Sequence, residues 1–354
     1  DEVVAQAARA GQVVKVGHKP KALGTEPGPI LEFGDNAPAL SAITGGEVNV
    51  LGGTAWMWAR PDFAGVVDVL FVDEAGQVSL ANVLAVSQAA NSVVLLGDPQ
   101  QLAQPSKASH PDGVGVSSLD HVLGGHATMP AARGVFLPIT WRMSPALTAF
   151  TSELFYEGKL TAKDGLERQA LTGIDTLAGS KFWLVPVEHD GCRNASNEEV
   201  NAVAALVARL LAPGSMWIDE KGEEKQLTAA DIRIVAPFNA QVNRIAEAMA
   251  KVRLKPDATS TPDAALQVGT VDKFQGQTCA VVIYSMTTSR PEDAPRGMEF
   301  LYSLNRLNVA TSRARCAVFL VASPRLFEPE CRTPRQMLLA NALCRYLEMA
   351  ETAI

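Results

Sequence analysis

The sequence predicts an α/β protein with mainly parallel sheets, and three observations carry that prediction. Short apolar runs recur along the chain: "VVDVLFVD" (66–73), "SVVLLGD" (92–98), "GVFLPIT" (134–140), "IRIVAPF" (232–238), "CAVVIYSM" (279–286) and "CAVFLVAS" (316–323). Each is continuous rather than alternating, as expected of strands covered on both faces. Helical patterns separate them, among them "SPALTAFTSELF" (144–155), "SNEEVNAVAALVARLLA" (196–212) and "NAQVNRIAEAMAKV" (239–252). Alternation of strand and helix is what builds parallel sheets.

Each element has its local reason. Ser196 and Glu199 have capping-box spacing ahead of an apolar stripe, which starts the helix over 196–212. The strand series appears twice, with a break near Thr140 to Pro145, so one lobe is expected over 1–141 and a second over 142–354. "KALGTEPGPI" (21–30) and "PDATSTPDAA" (256–265) read as loops from their Gly, Pro, Asp, Ser and Thr content. "PRQMLLANALCRYLEMAETAI" reads as an amphipathic helix packing on a lobe through Met337, Leu338, Leu343 and Leu347. The first residues, "DEVVAQAARAGQVVKV", begin as if inside an amphipathic helix, and the expectation is a fragment of a longer protein.

Composition narrows the classes. A chain of 354 residues accommodates two domains of about 100–200 residues each. With 47% hydrophobic and 19% charged residues it has the makings of a large core, which excludes bulk disorder. No window reaches the roughly 18 uncharged apolar residues of a membrane helix, and no signal-peptide pattern opens the chain. A net charge of −7 gives no global basic field, although a local groove needs only a few phosphate donors. Cys192, Cys279, Cys316, Cys331 and Cys344 form no CxxC pair or zinc spacing and read as reduced thiols of a cytoplasmic protein. His110, His121 and His126 read as loop histidines.

The chemistry begins at Asp73 and Glu74, which close an apolar run. Ligands bind at the C-terminal edge of such strands, where one acid can hold hydrated magnesium and the next can polarise a water. Taken alone, an Asp-Glu after a strand is more often a solvated loop start. The next run ends in "GDPQQLAQP" (97–105), where Gly97 permits a tight turn, Asp98 is a further acid and Gln101 is an amide able to orient water or sense phosphate.

"DEAGQ", "GDPQQLAQP" and "TWRMSPALTAFTSELFYEGKL" (140–160) together resemble motifs II, III and IV of superfamily 1 helicases. "VGTVDKFQGQTCAVVIYS" (268–285) resembles motif V and "LNRLNVATSRAR" (304–315) motif VI. The branch is that of the nonsense-mediated-decay helicase and its DNA-acting relatives. The resemblance implies two RecA-like lobes, the first truncated at its N-terminus, and an ATP-dependent motor on single-stranded DNA or RNA that moves 5′ to 3′. It implies ATP and Mg2+ as cofactors, with Asp73 as the metal anchor, Glu74 as general base and Gln101 as the coupling amide. Arg142 and Arg313 become arginine fingers, and Gln77, Gln275 and Gly276 lie at the nucleotide. Guanidinium suits the finger role because it is planar, always charged and bidentate toward phosphate. Thr54, Pro237, Phe238, Asn239 and Thr270 match positions that grip single-stranded nucleic acid. Trp56 and Trp58 could stack on bases, with core packing the preferred reading.

Three departures qualify the resemblance. Thr278 stands where many relatives carry a ribose-contacting Glu, which puts sugar recognition in doubt. Motif VI reads "ATSRAR" where "ALTRAR" is common, with the arginines kept. The phosphate cradle G-x-x-x-x-G-K-[ST] is not found: the sole Gly-Lys pair, Gly158-Lys159, precedes Leu160, and "LGGTAW" (51–56) has no lysine. The expectation is a chain that starts downstream of motifs I and Ia, inactive as an ATPase by itself, from a parent in which related bacterial proteins join a RecB-like nuclease. The alternative is a non-catalytic module that binds nucleic acid or a partner.

Overall fold

A computed structural model of the chain describes residues 2–20, 30–102, 115–251 and 266–353. His110, the loop over 256–265 and nearly all of that over 21–30 lie outside the described residues. The chain packs as two units, Asp1–Pro99 with Ala103–Gly125, and Gln100–Leu102 with His126–Ile354. Residues 126–141, assigned on sequence to the first lobe, therefore pack with the second unit.

In the first unit, α1 (Glu2–Arg9) leads to a three-stranded parallel sheet of β1 (Val16–His18), β2 (Leu31–Glu32) and β3 (Val50–Gly52), with α2 (Asn36–Thr44) following β2. After α3 (Ala55–Trp58), β4 (Val67–Val72) pairs in parallel with β5 (Ala90–Leu95) across α4 (Leu80–Ser87). Leu70 turns inward onto Val86, Met57, Trp58 and Phe63, while Val69 and Phe71 point out, leaving Phe71 64% exposed. Helix α5 (Ser118–Leu123) is tied to the turn after β4 by Ser118 Oγ, which donates to Ala75 O at 3.0 Å.

The second unit is built on a six-stranded sheet, every pairing parallel. Its order is β13 (Gln267–Gly269), β12 (Ile232–Val235), β14 (Cys279–Ser285), β15 (Ala314–Ala322), β9 (Lys181–Pro186) and β16 (Ala350–Thr352). Alternate residues of one strand feed opposite cores. Val282, Tyr284, Val318 and Leu320 join Phe182, Leu147 and Phe150 of α6 (Pro145–Phe155). Val281, Ile283, Phe319 and Val321 join Trp183 and the stripe Val200, Val203, Val207, Leu210 of α7 (Asn197–Leu210). Both faces are covered, which is why these strands read as unbroken apolar runs. Helix α8 (Asn239–Lys251) follows β12, and α9 (Met298–Leu301) and α10 (Leu304–Thr311) link β14 to β15. Smaller sheets complete it: β6 (Ile139–Thr140) with β7 (Thr161–Ala162), and antiparallel β8 (Ala170–Thr172), β10 (Met216–Ile218) and β11 (Glu224–Gln226).

Three expectations are corrected. "GVFLPIT" is not a full strand: only Ile139–Thr140 pairs, because Pro138 has no N–H to donate, and Val135 and Leu137 stay exposed. In α11 (Pro334–Met349) the packed face is Leu339, Leu343 and Tyr346, at helical i, i+4, i+7 spacing, whereas Met337, Leu338 and Leu347 are exposed. Tyr346 anchors that face by donating its hydroxyl between Val318 O at 2.9 Å and Trp183 O at 3.1 Å. The capping box at α7 is half formed. Ser196 Oγ accepts from Glu199 N at 3.1 Å, but Ser196 N donates to Gln241 Oε1 at 2.9 Å instead of to Glu199.

Candidate nucleotide and nucleic-acid sites

In the first unit the acids stand where β4 stops. Asp73 and Glu74 are exposed, and Asp73 Oδ1 accepts from Glu74 N at 2.9 Å. Glu74 adopts a left-handed backbone, φ 53°, a conformation uncommon for residues other than glycine. Gln77 Nε2 donates to Glu74 Oε2 at 3.3 Å and so holds the carboxylate. The turns after β4 and β5 touch backbone to backbone. A Cβ on Gly76 would lie 2.9 Å from Asp98 O, and one on Gly97, at φ 153°, would lie 2.8 Å from Ala75 N. Glycine is required at both positions to bring Asp73, Glu74 and Asp98 to one strand edge. Magnesium is commonly held by one or two carboxylates plus phosphate oxygens, so an exposed carboxylate at this edge such as that of Asp73 fits it.

Thr54, also in this unit, is exposed at the N-cap of α3, where its hydroxyl makes no capping bond. The adjacent tryptophans divide. Trp58 is core, edge-on to Phe63 at 5.6 Å between ring centres, whereas Trp56 is 87% exposed.

In the second unit Gln101, Arg142 and Arg313 come together. Arg313 Nη2 donates to Gln101 Oε1 at 2.8 Å, and its side chain is buried. Arg142 Nε donates to Thr278 Oγ1 at 2.9 Å and its Nη1 to Ser312 O at 3.0 Å. Gln169 Nε2 braces the backbone by donating to Arg142 O at 3.0 Å. Burial works against the charge of Arg142 and lowers its pKa from the ordinary value. The acceptors it has are neutral oxygens, so an anion at this point would supply the missing counter-charge; the donor set fits a phosphate. Gln275 is half-buried and Gly276 takes φ 77°, and Thr278, two residues on, is the one that meets Arg142.

Helix α10 sets the spacing of this group. Asn308 Nδ2 donates to Gln100 O at 2.9 Å and to Tyr156 Oη at 3.1 Å, and Asn305 Nδ2 donates to Gln101 O. The helix ends at Thr311 with Ser312 as its cap, and β15 begins at Ala314, which leaves Arg313 in the junction. Nothing local in the sequence marks Asn305, Asn308, Tyr156 and Gln169 as a clamp, because each acts on a remote backbone carbonyl or hydroxyl.

Arg142, Thr278 and Arg313 thus gather at the N-terminal ends of β14 and β15. Of the residues read as nucleic-acid contacts, the four in this unit lie at the opposite edge. Pro237 is buried, Phe238 half-buried and Asn239 exposed just past β12, and Thr270 caps the short helix after β13 without a side-chain capping bond. Residues 270–278 run from one edge of the sheet to the other, and so does α10.

A parallel sheet with acids on one strand edge, and a separate sheet presenting clustered arginines at one edge, is the organisation of a helicase-type motor domain. The AAA domain family matches residues 117–325, and the chain belongs to that family, in the superfamily 1 helicase branch that includes the nonsense-mediated-decay helicase. It is 28% identical over 295 residues to the protein named DNA replication ATP-dependent helicase/nuclease JHS1 from Arabidopsis thaliana, covering 77% of this chain and 20% of that one. It is 26% identical to DNA-binding protein SMUBP-2 of Mesocricetus auratus (73% and 25% covered) and 28% identical to RNA helicase Mov10l1 of Mus musculus (72% and 22% covered). The chain therefore spans a quarter or less of the length of these relatives. Among solved structures, the helicase nonstructural protein 10 of an arterivirus aligns at 14% identity and TM-score 0.41, over 90% of this chain and 50% of that one. Among the described residues no helix is long and apolar enough to cross a membrane.

Proposed function

We propose that this chain is the motor portion of an ATP-dependent helicase or translocase that moves on single-stranded DNA or RNA. The observation that carries this reading is the arrangement of the six-stranded sheet. Phosphate-suited arginines stand at one edge and short polar residues suited to gripping a strand at the other, joined by residues 270–278 and by α10. Bound ATP with Mg2+ supplies the phosphoryl group whose transfer is governed by positioning and charge neutralisation. In this reading Asp73 anchors the metal, Glu74 orients and deprotonates the attacking water, and Gln77 steadies Glu74. Arg142 and Arg313 neutralise charge on the phosphate, Gln101 reports its presence to α10, and Gln275 and Gly276 lie beside the nucleotide. Thr54, Pro237, Phe238, Asn239 and Thr270 hold the strand through backbone-directed contacts that do not read sequence.

A division into two lobes belongs to this proposal, with residues 126–141 packing in the second unit, as does work in DNA repair or processing in the cytoplasm. A relative named as both helicase and nuclease supports a RecB-like nuclease domain joined to the same motor. A second reading applies to the 354 residues by themselves: they contain no G-x-x-x-x-G-K-[ST], which favours binding without turnover. Steady-state phosphate release by the 354-residue chain, with and without single-stranded nucleic acid, tests this. No stimulated release is expected, and robust stimulated hydrolysis would contradict it.

A further inference from the structure

Phe300 sits in a setting that none of the roles above uses. It lies on α9, in the connection that leaves the C-terminal end of β14 for α10. The guanidinium carbon of Arg296 is 3.9 Å from the centre of its ring, and that of Arg306 is 4.4 Å away. Phe238, just past β12, packs beside it at 5.4 Å between ring centres, with the planes 38° apart. Arg306 is fixed from the other side by Asp272, 3.3 Å away in the turn after β13. Phe300 is only half-buried, and Arg296 is exposed with no ion pair among the described residues.

A packing role accounts for the buried side of Phe238, which rests against the core beneath it. It does not explain a flat ring left partly open with an unpaired guanidinium layered on it. Guanidinium carbons stand over the Phe300 ring at 3.9 and 4.4 Å, so the planar face left to a nucleobase is the outer face of Arg296, backed by the ring, and its positive charge adds attraction to the base and to its phosphate. The site is on the same sheet edge as Asn239 and Thr270, which offer hydrogen bonds but no flat face on which a base could stack.

We propose that Phe300 and Arg296 form a stacking platform for one base of a single strand lying over the C-terminal ends of β12, β13 and β14. This rests on the reading that the chain binds single-stranded nucleic acid, and adds that part of the affinity comes from bases rather than phosphates. The platform is tolerant of sequence, because every base has a face to stack.

The test is fluorescence anisotropy of the 354-residue chain with two labelled oligonucleotides of about 12 nucleotides, within the usual single-strand site sizes. One is oligothymidylate and the other the same backbone with abasic residues. Phe300→Leu keeps an apolar side chain on α9 but removes the ring. It is expected to weaken thymidylate binding about 5- to 100-fold, the range of one lost stacking contact, and abasic binding by less than about twofold. Phe300→Trp should retain thymidylate binding, and Arg296→Ala, at an exposed position, should weaken it about 3- to 10-fold. Equal losses on both strands, or no loss on either, would overturn the platform while leaving strand binding in place. Failure of the unsubstituted chain to bind either strand would overturn the functional reading together with it.

Discussion

At Glu74 a strained backbone and a hydrogen-bonded carboxylate occur in the same residue. The left-handed turn is tolerated because Gly76 and Gly97 let the neighbouring turn pack against it, and because Gln77 holds the side chain. In a protein that carries this chain joined to a phosphate-cradling loop, Glu74→Gln should keep ATP binding and abolish turnover, as read by nucleotide-binding titration beside phosphate release. Retained hydrolysis would remove Glu74 from the role of base. Arg313→Ala should lower the rate by about 10³–10⁵, the worth of arginine fingers in related phosphoryl transfers, and a loss below about tenfold would make Arg313 structural. Thr278 shows what the residue scale conceals from sequence. As a departure from a family pattern it pointed to altered sugar contact, yet here its hydroxyl accepts from Arg142. The motif residues were legible because each carries its own chemical signature. The clamp of Asn305, Asn308 and Tyr156 was not, since it depends on partners remote in sequence.

At the scale of elements, buried polar groups tie neighbouring elements together. Glu199 on α7 is fully buried and accepts from Ser285 Oγ at 2.5 Å and Thr287 N at 2.8 Å, with His189 Nε2 at 3.0 Å; burial pushes its pKa up. It thereby secures the turn after β14, where Thr287 has φ 74°. Glu199→Ala should cost about 3–5 kcal/mol in urea unfolding by leaving those partners unmatched, while Glu199→Gln should cost clearly less. Sequence periodicity presented Glu199 as a helix cap because spacing cannot tell a returning side chain from one drawn into the core.

Asp219 plays a comparable part in the turn between β10 and β11, accepting from Lys225 Nζ at 2.5 Å, Lys221 N at 2.9 Å and Glu223 N at 3.0 Å. The hydrogen bond from Lys225 is the main cause that lowers its pKa from 3.8 to about 2. A carboxyl depressed on folding stabilises above its unfolded pKa and loses that contribution as pH falls through the folded value. Thermal melts should therefore show the chain losing stability between pH 4 and 2 more steeply than Asp219→Asn. Above that window the variant should be weaker by about 1–2 kcal/mol, the low end for bonds to a charged group because Lys225 is half exposed. Identical profiles for the two proteins would contradict this.

Over the whole molecule, the α/β class and parallel pairing were readable because a strand covered on both faces leaves an unbroken apolar run, as in β14 and β15. What escaped were short or edge elements. The strand β16 draws its order from β9 rather than from its own residues, and the segment over 134–140 is apolar but mostly unpaired. The functional proposal is strongest in the second unit, where one sheet carries a phosphate-suited edge and a strand-suited edge. Its central claim is that the two edges serve one cycle of hydrolysis stimulated by nucleic acid. The direct measurement is the phosphate-release rate of a protein joining these residues to a G-x-x-x-x-G-K-[ST] loop, with single-stranded nucleic acid added or withheld. The rate should rise with the strand and collapse with Arg313→Ala; a rate indifferent to both would contradict such a cycle.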